Sequence, residues 1–146
     1  MPNMKIQLPD TRSMEMALEN DAPGLAQLFV LRGLGFEEKG DLIHAIDDYG
    51  TALRISPGNA QILYRRGLAF NKKGDFDRAI ANFDEALRVN TGFVEALYAR
   101  GNAWASKRQF DRAIEDYDAV LRLNPNDWQA INSLEEVLME GMSVSA

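Results

Sequence analysis

Residues 60–93 read AQILYRRGLAFNKKGDFDRAIANFDEALRVNTGF, and residues 94–127 read VEALYARGNAWASKRQFDRAIEDYDAVLRLNPND. Set one above the other without a gap, they agree at 15 of 34 positions. The preceding 34 residues, 26–59, read AQLFVLRGLGFEEKGDLIHAIDDYGTALRISPGN and share 15 positions with 60–93. Unrelated segments would agree at roughly 2, at an average usage of about 6% per residue type. The chain therefore carries three copies of one unit: 26–59, 60–93 and 94–127.

Each unit is patterned as two helices. Phe29, Gly33 and Phe36 recur as Leu63, Gly67, Phe70 and as Leu97, Gly101, Trp104. Spacing of i, i+4, i+7 marks one face of a helix. A second helical set follows in Leu42, Ala45, Ile46, Tyr49, Ala52 and Leu53, and it too recurs at 34-residue intervals. Gly40-Asp41 and Gly74-Asp75 stand between the two sets. Glycine ends one helix in the left-handed conformation, and aspartate caps the free N–H groups of the next. The third unit has Arg108-Gln109 there, which predicts a weaker turn. Pro57 and Pro125 close the second helices of the first and third units, where the middle unit has Thr91. The expected pairs are 26–39/41–55, 60–73/75–89 and 94–107/109–123.

Two features of the unit call for a physical cause. Glycine inside a helix costs about 1 kcal/mol relative to alanine, so Gly33, Gly67 and Gly101 predict close approach of a neighbouring helix. Ala45, Ala79 and Ala113 are the expected opposing surface. Arg32, Arg66 and Arg100 each precede that glycine, at the edge of the apolar face. A charge placed there requires a partner. Asp48, Asn82 and Asp116, each 16 residues on, are the expected partners, with an anion-binding ladder as the alternative.

With period 34 and the pattern Gly33…Phe36…Ala45…Tyr49…Ala52…Pro57, repeated twice more, the chain resembles the tetratricopeptide repeat (TPR) family. Arg108-Gln109, Thr91 and Val120 depart from the family pattern. The resemblance implies an all-α, right-handed superhelical array of three helix-turn-helix repeats, with the first helices lining a concave groove. Residues 128–146 are expected to supply a capping helix with a polar outer face, and then a tail. Residues 1–25 are expected to be an N-terminal arm with a short helix over 11–20. Pro23-Gly24 matches Pro57-Gly58, so this piece reads as the decayed end of an earlier repeat.

Composition narrows the function. Sixteen Lys+Arg against twenty-two Asp+Glu leave a net charge of −6, which argues against nucleic acid and anionic membrane as partners. With no cysteine there is no thiol nucleophile and no Cys-ligated zinc. No apolar run approaches the roughly 20 residues of a membrane span, and no targeting segment stands at the N-terminus. The expected location is the cytoplasm.

Catalytic signatures are scarce. The single histidine, His44, has Arg78 and Arg112 as its counterparts and reads as a surface position. Adjacent acids such as Asp47-Asp48 and Glu135-Glu136 point about 100° apart on a helix and do not share a ligand. We expect no enzyme, no cofactor and no metal.

The remaining signal is a row of side chains off the glycine face. Val30, Leu34, Tyr64, Leu68, Tyr98 and Asn102 are the candidate partner-binding residues, with a polar rim of Gln27, Gln61, Glu95, Glu37, Asn71 and Lys72. The expected function is a non-catalytic scaffold binding a peptide or helix of another protein in the groove. Homo-oligomerisation through the arm or the cap is the alternative. Some TPR proteins resembling this one clamp the C-terminal carboxylate of chaperones with Lys and Asn, then Asn, then Lys and Arg. The matching places here hold Val30, Leu34, Arg65, Glu95 and Ala99. None fits, and no binding of acidic chaperone tails is expected.

Overall fold

The computed structural model describes residues 10, 12–13 and 22–144. Among the described residues, seven long helices follow in order: α1 (Ala22–Glu38), α2 (Leu42–Ile55), α3 (Ala60–Lys72), α4 (Phe76–Val89), α5 (Val94–Ser106), α6 (Phe110–Leu123) and α7 (Trp128–Val144). The chain is all-α. It divides into two compact units, Met1–Pro57 and Gly58–Ala146. The first contains the α1/α2 hairpin. The second contains the hairpins α3/α4 and α5/α6, with α7 packed on α6. The short helix expected over 11–20 lies outside the described residues.

The caps follow the sequence. Asp41 accepts from the His44 N–H at 3.1 Å, and Asp75 accepts from the Arg78 N–H at 3.3 Å. Gly40 and Gly74 take φ of 78° and 82°. In the third hairpin Gln109 makes no side-chain cap. Arg108 nevertheless adopts the same left-handed turn, at φ 61°. Left-handed backbone costs an L-residue roughly 1–2 kcal/mol and glycine almost nothing. Arg108→Gly is therefore expected to stabilise the chain by about 1 kcal/mol, despite losing an exposed contact with Glu140 at 3.7 Å. Thermal denaturation of the variant checks this, and a lower melting temperature would count against the strain.

The expected decayed helix before Pro23-Gly24 lies outside the described residues, and the pair itself belongs to the next helix. It lies in the first turn of α1, which begins at Ala22. Proline is tolerated there because its missing N–H would have had no helical partner.

The glycine seam also differs in detail from expectation. Ala45, Ala79 and Ala113 are fully buried. What lies against each glycine, however, is the aromatic ring 16 residues on. A Cβ on Gly33 would come within 2.6 Å of Tyr49 Cε1, on Gly67 within 2.5 Å of Phe83 Cε1, and on Gly101 within 2.7 Å of Tyr117 Cε1. Alanine is too short to reach across the hairpin, and the ring is not. The rings themselves are sealed in the core. Burying each contributes about 1.5–3 kcal/mol, which outweighs the helix cost of the glycine.

Candidate functional site

Within the second unit, α3, α5 and the start of α7 enclose a cleft of about 300 Å³. From α3 come Tyr64, Leu68 and Asn71, at i, i+4, i+7. From α5 come Glu95, Tyr98 and Asn102, again on one helical face. Asp127 and Gln129 close the far side. The 34-residue period brings these groups together, since Gln129 stands at the register of Glu95 and Gln61.

Two rings form the apolar wall. Tyr64 tilts against Phe93 at 5.0 Å between centroids, and against Phe83 at 6.1 Å. Burial holds its phenol above the ordinary tyrosine value, and the Glu95 charge adds to this. Tyr98 tilts against Tyr117 at 5.8 Å. Its hydroxyl lies 3.0 Å from Ser133 Oγ, a bond to α7 across 35 residues. The Tyr117 hydroxyl donates to Asn102 Oδ1 at 2.7 Å, and burial raises that phenol further still. The asparagine is therefore held by its oxygen. Asn71 Oδ1 is buried and accepts no hydrogen bond.

The six candidate residues thus divide. Tyr64, Leu68, Tyr98 and Asn102 line this one cleft. Val30 and Leu34 belong to the first unit. Val30, 4% exposed, is a buried core residue, as are Leu25, Ala26 and Phe29 of the same helix. Asn71, named only as rim, forms part of the wall, and Asp127 and Gln129 were not singled out. Repeat register alone could have found Gln129.

The arginine ladder is internal. Arg32 donates to Asp48 through Nε and Nη2, both at 2.7 Å. Arg66 Nε donates to Asn82 Oδ1 at 2.7 Å. Arg100 forks onto Asp116 at 2.9 and 2.6 Å, and reaches Asp84 with Nη1 at 2.8 Å. The Asp116 hydrogen bond raises the Arg100 pKa above the usual arginine range, whereas burial lowers that of Arg66, whose partner is neutral. His44 is exposed, stacked on Phe36 and 2.6 Å from Asp41 Oδ2. It sits beside the cap of α2.

A tetratricopeptide repeat family model matches residues 64–128, and a TPR repeat model matches residues 36–74. Comparison with curated proteins by sequence finds no match. Among solved structures, the first TPR of Spaghetti (RPAP3) bound to the HSP90 peptide SRMEEVD is 25% identical, with a TM-score of 0.76, covering 83% of this chain and 94% of that one. MamA is 23% identical at a TM-score of 0.78, covering 90% and 76%. The TPR2B domain of yeast Sti1, in complex with an Hsp70 peptide, is 21% identical at 0.73, covering 79% and 97%. The two family matches together span residues 36–128, more than half of the chain, and the helix pairs, capped turns and glycine–aromatic seams all agree with them: the chain belongs to the tetratricopeptide repeat family.

Proposed function

We propose that this chain is a non-catalytic scaffold that holds a segment of a partner protein in the cleft of α3, α5 and α7. The observation that carries this reading is the chemistry of the wall. Half-buried Tyr64, Leu68 and Tyr98 provide contact area, Asn71 and Asn102 provide amides, and the charged lining residues are Glu95 and Asp127. Aromatic side chains give large contact area at small entropic cost. TPR domains of similar structure bind chaperone peptides, which supports a peptide as ligand. The charge here is of the opposite kind. A cleft whose charges are carboxylates favours a segment with apolar and basic residues.

Selection from a displayed random-peptide library tests this. The selected peptides are expected to be apolar and basic. Glu95→Lys is expected to weaken them about tenfold, or about 1.4 kcal/mol. Glu95 is exposed, so the melting temperature should not move. Tyr64→Ala with Tyr98→Ala is expected to cost about 2 kcal/mol of binding or more. Both rings also pack on Phe83, Phe93 or Tyr117, so that double variant will melt earlier, and Glu95→Lys is the cleaner probe. The peptide SRMEEVD is expected not to bind. A micromolar, salt-sensitive complex with it would overturn the charge argument.

A further inference from the structure

The capping helix was expected to turn a polar face outward; Glu135 and Glu136 are exposed, and an apolar stripe is exposed beside them. Trp128, Ile131, Leu138 and Met142 of α7 are all exposed. With Glu135 between them they are spaced 3, 4, 3 and 4 residues apart, one stripe of a helix suited to packing against another. The 34-residue register says which stripe it is. Ile131 corresponds to Leu63 and Leu97, Glu135 to Gly67 and Gly101, and Leu138 to Phe70 and Trp104. In α3 and α5 these positions face the second helix of the hairpin. Leu63, Leu97 and Phe70 are accordingly 5%, 7% and 9% exposed, whereas Ile131 and Leu138 are 38% and 46%. Beside the stripe, Phe110 and Ile114 of α6 join Val137, Leu138 and Met142 around a second cleft of about 510 Å³.

We propose that this face of α7, with the adjoining edge of α6, docks an amphipathic helix of a partner protein bearing a lysine or arginine opposite Glu135. The glutamate decides the chemistry. In the hairpins an aromatic ring occupies the space against the glycine, within 2.5–2.7 Å of where a Cβ would stand. Glu135 has that Cβ and a carboxylate beyond it, so a ring cannot take the same place. A long basic side chain can pass alongside it and pair with the carboxylate. Asp111 and Glu140 add negative charge, and the nearby Arg108 already lies 3.7 Å from Glu140. A second copy of this chain is disfavoured. A two-fold contact through the stripe would bring two Glu135 carboxylates together, between molecules of net charge −6. The surface is distinct from the α3/α5/α7 cleft.

The test uses two fluorescein-labelled 18-residue Leu/Ala amphipathic peptides, one with lysines flanking its apolar face and one with glutamates in their place. Fluorescence anisotropy is expected to show the lysine peptide binding at least tenfold more tightly. Glu135→Lys should reverse that preference, and Leu138→Gln should weaken binding at least tenfold with an unchanged circular dichroism spectrum. Glu95→Lys, in the other cleft, should leave it within twofold. Equal binding of both peptides, or indifference to Glu135→Lys and Leu138→Gln, would overturn the proposal. So would a concentration-dependent dimer by sedimentation that Leu138→Gln abolishes, which would assign the face to a second copy.

Discussion

Gly33→Ala is expected to destabilise the first unit by about 2 kcal/mol, while Gly35→Ala, two residues along the same helix, is expected to stabilise it by up to about 1 kcal/mol. Both substitutions make the same gain in helix propensity, so the difference isolates packing. The new Cβ at position 33 would lie 2.6 Å from Tyr49 Cε1 and 3.0 Å from Cδ1. The ring cannot retreat, because it is fully buried and its hydroxyl donates to Glu37. At position 35 nothing lies within 4 Å. Overpacking a core costs typically 1–3 kcal/mol, and more where the neighbour is pinned. Gly67→Ala and Gly101→Ala should behave like Gly33→Ala, against Phe83 and Tyr117. Urea denaturation of the pair at positions 33 and 35 measures the effect. Equal midpoints would mean that the ring gives way, and that the glycines answer to something other than the seam.

Arg100→Met is expected to cost more than Asp116→Ala, about 3–5 kcal/mol against about 2. Sequence alone suggests the reverse order, on the view that the arginine is the charge stranded in the core. The structure shows the carboxylate to be the deeper group: the Asp116 side chain is 6% exposed and that of Arg100 24%. Without Asp116, Arg100 keeps its bond to Asp84, whose exposed carboxylate contributes modestly. Without Arg100, the Asp116 carboxylate loses both hydrogen bonds at 2.9 and 2.6 Å that its guanidinium supplies. Asp116→Asn should be milder than either, because Arg66 and Asn82 already form the neutral version in the second hairpin. There the Asn82 amide also donates to the Arg78 carbonyl at 2.8 Å, a bond open to an asparagine at position 116. Unfolding free energies of the three variants, with the Arg100→Met/Asp116→Ala double variant, rank them. If Asp116→Ala proved the costliest, the depth argument would be wrong.

The period of 34, the two helices per unit, the aspartate caps and the arginine pairings were all legible in the residues. Each depends on spacing along the chain. Helical periodicity assigns a residue to a face, and 16 residues carry the chain around a hairpin to the same level, so Arg32 meets Asp48 whatever the neighbours are. Tertiary structure decided whatever depends on reach and on cover. That an aromatic ring and not an alanine fills the glycine notch follows from side-chain length across the gap between helices. That Tyr98 bonds Ser133 follows from where α7 meets α5, and that Tyr117 holds the amide of Asn102 follows from how α5 and α6 pack. Tyr64, Leu68, Tyr98 and Asn102 share one cleft while Val30 is sealed in a core, although all five belong to the same row in sequence. The α7 stripe shows the same limit most plainly. Ile131 and Leu138 stand at the register of apolar residues in α3 and α5, and their exposure differs because burial belongs to the helix that packs against a face, which the face's own sequence does not contain.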